Sequence, residues 1–252
     1  MNTVLQQELI RFNGLLATIR DSLIQLNKAI EGLVLFSVDL EKVYDRIFDN
    51  RVPDLWHTVG YPSLKLLGSW FLDYLERIKF LDSWIENGHP ANYWISGFFF
   101  TQSFLTGTKQ NYARKMVLPI DTVDWTFKVI MDNDPNIDVN VKPEKGAYVH
   151  GLYLDGAQYD REENWLAESL PKILFVPMPY IWIIPTVKSE IHESDSFYSC
   201  PIYKTSARKG VLSTTGHSTN FVIACDLPLN FKLHDDKHWI KRGVAMLTQL
   251  DD

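Results

Sequence analysis

The chain has 252 residues, which corresponds to about one or two domains. Hydrophobic residues make up 46% and charged residues 22%, proportions that are typical of a globular protein and exclude a disordered or collagen-like chain. The formal net charge of −6 disfavours non-specific nucleic-acid binding, because that binding requires a basic surface.

The first third of the chain has the apolar spacing of a long helix. Apolar residues recur alternately four and three positions apart, which predicts an a/d heptad seam over residues 5–33. Such a seam either packs inside a helical bundle or docks onto another chain or domain. Its members are Leu5, Leu9, Phe12, Leu16, Ile19, Leu23, Leu26, Ile30 and Leu33.

Shorter helices are predicted for the rest of the N-terminal half. Ser37 precedes acidic residues and predicts the N-cap of a helix over 39–48. Residues 50–62 contain two prolines and read as a loop. Helical apolar spacing then resumes over 64–85, and a further helix is expected over 94–115.

After Pro119 the apolar period changes from helical to alternating. Val123, Trp125, Phe127 and Val129 alternate with polar residues, which predicts a half-buried strand. Short strands separated by turn residues favour an antiparallel barrel or sandwich. We therefore predict an α+β fold, with a helical subdomain over 1–117 and a small antiparallel β-barrel over 118–252. The further strands are expected at 147–154, 173–175, 180–184, 199–203, 220–226 and 244–249.

Cysteine and hydropathy patterns limit the compartment. Two cysteines, Cys200 and Cys225, exclude a disulfide framework and are typical of a reducing compartment. The first residues lack the basic start and apolar run of a signal peptide. The longest apolar stretch, 173–184, contains two prolines and is too short to span a bilayer, so we expect no membrane partner.

Common catalytic signatures are missing from the sequence. It has no Gly-Lys-Ser/Thr phosphate loop, no dinucleotide fingerprint and no Gly-x-Ser-x-Gly elbow. We therefore expect this protein not to be an enzyme, and we assign no catalytic, cofactor-binding or metal residue.

An acidic segment at 132–144 resembles a calcium loop in its alternating Asp and Asn side chains. Its sixth position is Ile137, where the sharp turn requires Gly, and its twelfth is Pro143, where a bidentate Glu belongs. We interpret the segment as a solvated loop.

Two histidines, His234 and His238, lie four residues apart and could share a metal on a helix. The segment follows Pro228 and precedes a predicted strand, so a helix is not expected there. We interpret it as an exposed turn.

The segment 213–220 is rich in hydroxyl side chains and includes His217 and Ser218. Such a pair could serve a nucleophilic hydrolase, but that chemistry also needs an orienting acid and an oxyanion hole. A structural hairpin turn is the preferred interpretation.

Several long segments resemble the C-terminal region of axonemal dynein heavy chains, and they occur in the same order along the whole sequence. The most specific are GLYLDGAQYD at 151–160, LSTTGHSTNF at 212–221 and HWIKRGVAMLTQLDD at 238–252. The others are 61–65, 94–107, 110–115, 119–121, 168–172 and 200–205.

The resemblance implies the C-terminal piece of a much longer motor protein, with Met1 at an internal position. In the family this domain follows the sixth AAA+ module, lies across one face of the ring, and consists of helices followed by a small β-barrel. It implies a non-catalytic role in bracing the ring and modulating ATP-driven, microtubule-based movement. No cofactor is implied here, since ATP and Mg would bind the absent upstream ring.

The resemblance also implies partners and a location. The partner would be the AAA+ ring of the same heavy chain and, indirectly, other dynein arm subunits and microtubules, in the cytoplasmic cytoskeleton of the cilium or flagellum axoneme. The helix over 5–33 would leave the ring and pack part of its apolar surface there. Two alternatives stay open: a free-standing β-barrel module that binds a ligand or another protein, and a hydrolase using His217 or Ser218.

Overall fold

The computed structural model describes residues 1–131, 134–191, 196–211 and 219–251. Its N-terminal part is helical, and strands dominate after residue 122. The mixed helix-and-sheet class is therefore confirmed. The helices are α1 (Asn2–Ile30), α2 (Val38–Phe48), α3 (Asp54–Val59), α4 (Leu67–Asn87), α5 (Thr101–Met116) and α6 (Asp236–Arg242).

Local signals explain where α1 ends and α2 begins. Gly32 has a φ of 73°, and its N–H donates to the Ala29 carbonyl at 3.0 Å, which satisfies a carbonyl at the end of α1. The Ser37 side chain accepts from the Leu40 N–H at 3.3 Å, as the predicted N-cap requires. By contrast, α3 lies in the segment predicted as a loop. It begins directly after Pro53, a residue whose fixed φ is tolerated at a helix start.

The strands follow most of the predicted positions. The alternating segment after Pro119 is confirmed as a strand, and the predicted strand over 147–154 is divided into two at Gly151. The hairpin over 158–167 was not predicted. The strands are β1 (Asn92–Trp94), β2 (Val123–Ile130), β3 (Ala147–His150), β4 (Tyr153–Asp155), β5 (Gln158–Asp160), β6 (Trp165–Ala167), β7 (Phe175–Pro177), β8 (Tyr180–Val187), β9 (Phe197–Tyr203), β10 (Phe221–Pro228) and β11 (Ala245–Leu247).

Strand pairing gives a four-stranded sheet in the order β1-β3-β8-β2 and a five-stranded sheet in the order β10-β9-β11-β4-β7. A separate hairpin joins β5 and β6. Most pairs are antiparallel, while β1 with β3 and β11 with β9 are parallel. Within the described ranges, the ladders do not close into a single barrel.

One apolar core joins the helical and strand-rich parts of the molecule. Phe12 and Trp70 from the helices belong to the same buried cluster as Leu154 and Met246 from the five-stranded sheet. In addition, β1 precedes residue 117 but pairs with β3 in the later part. The division at residues 117 and 118 stays a prediction.

A buried arginine links α4 to the segment that follows β1. The Arg77 side chain is 2% exposed, and its Nε donates to Asp73 at 2.7 Å. Its guanidinium donates to the carbonyls of Ser96 and Phe98 and lies 3.9 Å from the centre of the Tyr61 ring. These bonds satisfy a charge that would otherwise be costly to bury.

Candidate docking surface

The buried face of α1 is rotated from the predicted heptad seam. Of that seam, Phe12, Ile19 and Leu26 are buried, whereas Leu16, Leu23 and Ile30 are exposed and Leu33 lies beyond the helix. The prediction that the whole seam packs inside the protein is therefore wrong for about half of these residues. The observed buried face consists of Val4, Glu8, Phe12, Leu15, Ile19, Ser22, Leu26 and Ala29.

Two polar residues explain the rotation. The Glu8 carboxylate accepts the backbone N–H groups of Phe99 and Phe100, the latter at 3.0 Å. The Ser22 hydroxyl accepts from the Trp56 indole N–H at 2.9 Å and donates to the Ile19 carbonyl at 2.8 Å. A hydropathy pattern assigns Glu and Ser to the solvent side, so the sequence reasoning missed both residues. Only knowledge of the partner groups identifies them as core positions.

Burial and hydrogen bonding act in opposite directions on Glu8. Burial raises the pKa of its carboxyl above the ordinary value. The N–H donors of Phe99 and Phe100 oppose that rise, as does the positive charge of Arg11. Glu8 is thus a structural acid that positions the start of α5 against α1.

Exposed apolar side chains are concentrated between the last residue of α1 and the end of α2. Leu35 is 92% exposed and Phe48 is 77% exposed, although both are large apolar residues. The Tyr44 ring lies 6.1 Å from the rings of Phe36 and Phe48, so the aromatic members contact one another. We call this surface the apolar end. It comprises Ile30, Leu33, Val34, Leu35, Phe36, Val38, Tyr44 and Phe48.

An exposed cluster of this size is informative because water-exposed apolar residues are usually scattered. Contiguous apolar patches mark sites of association with another surface. The apolar end has this character, and it supports docking of the end of α1, the loop after it and α2 onto another chain or domain.

The acidic segment after β2 uses its carboxylates locally. Asp134 accepts from the Asn136 N–H at 2.9 Å and forms an ion pair with Lys128 at 3.2 Å. The Asn136 N–H and Lys128 lower the pKa of Asp134. Asp138 likewise accepts from the Asn140 N–H at 2.8 Å. These local bonds agree with the solvated-loop interpretation, while Asp132 lies outside the described residues.

His217 and Ser218 also lie outside the described residues. The described structure therefore gives no geometric support to the hydrolase alternative. Next to them, the Asn220 side chain accepts from the N–H groups of Lys204 and Thr205 at 2.8 and 2.9 Å. Asn220, directly before β10, thus stabilises the backbone that follows β9.

The segment around His234 and His238 differs from its prediction. Residues 236–242 form α6, whose N-cap is Asp235, although a helix was not expected. The Asp235 carboxylate accepts from the His238 N–H at 3.0 Å, a capping bond that starts the helix in spite of its short length. The two imidazole rings stack with centroids 4.0 Å apart, and both face Glu168.

A cleft of about 790 Å³ lies beside β2 and the β5–β6 hairpin. Its lining combines Phe127 and Tyr159 with the charged residues Lys128, Arg161 and Glu162. A ligand-binding barrel is expected to hold a closed, apolar pocket, which this lining does not resemble.

In the described part of the protein, no helix has both the length and the hydropathy needed to cross a bilayer.

Comparison with known proteins identifies the family. The family model for the C-terminal domain of the dynein heavy chain matches residues 1–248. The protein belongs to this family. The resemblance to axonemal dynein heavy chains is thereby confirmed, and the family is the C-terminal domain of the motor rather than its ATPase ring.

The similarity to individual dyneins extends from end to end. The protein is 55% identical over 252 residues to dynein axonemal heavy chain 12 of Homo sapiens. It is 51% identical over 251 residues to dynein axonemal heavy chain 1 of Rattus norvegicus and 51% over 252 residues to dynein axonemal heavy chain 3 of Mus musculus. Each comparison covers 100% of this sequence but only 8%, 5% and 6% of the respective relative.

Proposed function

We propose that this dynein C-terminal domain docks on the AAA+ ring of its own heavy chain through the apolar end. In that position it braces the ring and modulates how ATP hydrolysis is coupled to microtubule-based movement in the axoneme of a cilium or flagellum. The proposal is supported by the family match over 1–248 and by the exposure of Leu35 and Phe48. A surface of this kind gains free energy when it leaves water.

The proposed role is non-catalytic. The sequence offers no phosphate loop for ATP, and the domain would act by contact rather than by chemistry. ATP and Mg would bind in the ring, and microtubules and other arm subunits would be indirect partners. We also propose that the two larger sheets correspond to the small β-barrel of the family. The free-standing ligand-binding module is not favoured, because the sequence matches a domain of a larger motor from end to end.

The proposal is tested in the complete heavy chain by placing charges on the apolar end. The double variant Leu35→Asp, Phe48→Asp changes two exposed side chains and leaves the buried core untouched. The matched control is Leu174→Asp, which charges an exposed leucine next to β7. Microtubule gliding velocity and microtubule-stimulated ATPase are measured for all three motors.

Losing an apolar contact of ~1.4 kcal/mol shifts a docking equilibrium tenfold. Because fewer motors then have the domain docked on the ring, we expect the double variant to change the ratio of velocity to ATPase rate at least about twofold. The control is expected to retain the wild-type ratio. Hydrogen exchange of 30–48 provides the direct readout: protection in the wild-type motor should be lost in the double variant. A wild-type ratio together with fast exchange of this segment in the wild-type motor would rule out docking through the apolar end.

A further inference from the structure

Glu168 meets His234 and His238 at α6, although it is 70 residues from His238 in the sequence. The Glu168 Oε1 atom lies 2.6 Å from Nε2 of His238 and 3.8 Å from Nε2 of His234. One ligand-type atom from each residue lies within 4.8 Å of the other two. The group therefore places two imidazole nitrogens and one carboxylate oxygen around one small volume.

The surrounding structure holds these side chains in place. Glu168 directly follows β6, while His238 lies in the first turn of α6. Both imidazoles contact the edge of the buried Trp239 ring, with centroids 5.5 and 4.9 Å away. The Glu168 and histidine side chains are each about one-third exposed, so an ion from solvent can reach them.

The hydrogen bond between Glu168 and His238 does not explain the position of His234. Its Nε2 is too far from Oε1, at 3.8 Å, for a hydrogen bond. The two imidazoles stack with centroids 4.0 Å apart, and both Nε2 atoms face the same carboxylate oxygen. Imidazole nitrogen is a common metal ligand.

We propose that Glu168, His234 and His238 bind a divalent transition-metal ion of the zinc class. Imidazole nitrogen and carboxylate oxygen are zinc ligands at about 2.0–2.2 Å, and two ligands of one tetrahedral ion lie about 3.4 Å apart. The distances of 3.8 and 2.6 Å from Oε1 to the two Nε2 atoms bracket that value, and the stacked rings must rotate out of their parallel arrangement so that both Nε2 lone pairs point to the ion. The neutral His238 imidazole binds through Nε2 with its proton on Nδ1, so the ion replaces the hydrogen bond to Glu168, and the fourth position is left for water.

Arg242 completes the arrangement from outside. Its Nη2 donates to Oε2 of Glu168 at 2.9 Å, and its Nη1 donates to Oε1 at 3.2 Å. These two bonds orient the carboxylate, with Oε1 also facing the histidines, as outer partners of metal ligands do. The ion would connect the end of the β5–β6 hairpin to α6 and thus to β11, which follows α6. The site shares no residue with the apolar end, so the two proposals stand independently.

The test uses the 252-residue protein with the metal alone. Cobalt(II) is added and the visible absorption of a tetrahedral cobalt complex is recorded, after which zinc chloride is titrated by calorimetry. The ligand variants are Glu168→Gln and His234→Gln, and the matched control is His57→Gln, an exposed histidine on α3 outside the group. Circular dichroism checks that each variant is folded.

We expect one zinc ion per molecule for the wild type and the control. Each ligand variant should weaken zinc affinity at least about tenfold, the lower bound for loss of even an outer partner. The tetrahedral cobalt spectrum should disappear in both ligand variants. If a variant fails to fold, the wild-type protein still tests the proposal, because absence of the tetrahedral cobalt spectrum in the wild type overturns it. Equal zinc affinity in the wild type and a folded ligand variant overturns it as well.

Discussion

The two sides of α1 both carry apolar side chains, yet they have opposite environments. On the covered side, Phe12 is 1% exposed and its ring lies 5.4 to 6.2 Å from the rings of Tyr61, Tyr74 and Phe99. Outside it, Ile30 and the following apolar residues face solvent. The difference arises because one side of α1 is buried against the rest of the protein from Val4 to Ala29, whereas Leu16, Leu23 and Ile30 lie outside that side. Apolar spacing alone therefore does not distinguish residues that pack inside the protein from residues that face solvent.

The largest effect is expected on the covered side of α1. Phe12→Ala should lower the free energy of unfolding by about 4 kcal/mol, because it removes a buried ring and leaves a cavity among aromatic neighbours. Urea denaturation measures the change. Leu16→Ala, at an exposed position of the same helix, is the control and should cost less than about 1 kcal/mol. Similar losses for the two variants would break the contrast between the faces of α1.

The next largest effect is expected at the buried arginine of α4. Arg77→Met should destabilise the fold by about 3 kcal/mol, because it leaves the Asp73 carboxylate and two backbone carbonyls without their donor. Lys79→Met removes an exposed ion pair with Glu76 on the same helix and should cost no more than about 1 kcal/mol. The midpoints and slopes of urea unfolding give both values. A loss below about 1 kcal/mol for Arg77→Met would contradict a structural role for the buried charge.

A smaller loss is expected at the polar core position of α1. Ser22→Ala should cost about 1–2 kcal/mol, because the buried Trp56 N–H loses its acceptor. Thr18→Ala removes an exposed hydroxyl that bonds within the helix and serves as the comparison. Thermal unfolding monitored by circular dichroism separates the two. Equal midpoints would show that the Ser22 bond contributes nothing to the covered face.

The pH dependence of stability tests the environment of Glu8. Its folded-state pKa is raised by burial, so the folded protein holds this proton more tightly than the unfolded state does. The resulting stabilisation is present below the ordinary value of 4.5 and is lost as pH rises through the folded pKa. The stability difference between wild type and Glu8→Gln should therefore shift in favour of wild type as pH falls in this window. A difference that is independent of pH would contradict a raised pKa.

The smallest effect on stability is expected at the exposed end. Leu35→Asp should change the free energy of unfolding by no more than about 0.5 kcal/mol, because the leucine is 92% exposed. The measurement is urea unfolding of the isolated domain, alongside Leu174→Asp. A loss above about 1 kcal/mol would place Leu35 in the fold's own core and remove it from the apolar end.

Much of the fold could be predicted from local signals. Ser37 identified the start of α2, and the alternation from Val123 to Val129 identified β2. The error in the buried face of α1 has one physical cause, which is that polar groups were bonded by distant partners. Glu8 and Ser22 are inside because Phe99, Phe100 and Trp56 supply their partners.

The candidate sites were predictable to different degrees. Family motifs identified the domain without any geometry, but they did not locate the apolar end. His234 and His238 were recognised as a pair, whereas Glu168 is 70 residues from His238 and joins them only in the folded protein. No local pattern predicts a contact over that separation.

The sequence by itself determined the helix-to-strand order, the family and the apolar character of α1, since these depend on residue type and short spacing. Tertiary structure alone decided which side of α1 is covered, which charges are buried and which side chains meet beside α6. The physical reason is that burial and hydrogen bonding depend on surfaces brought together by distant parts of the sequence. For α1, one side is buried from Val4 to Ala29, and apolar residues outside that side, such as Leu16 and Leu23, face solvent.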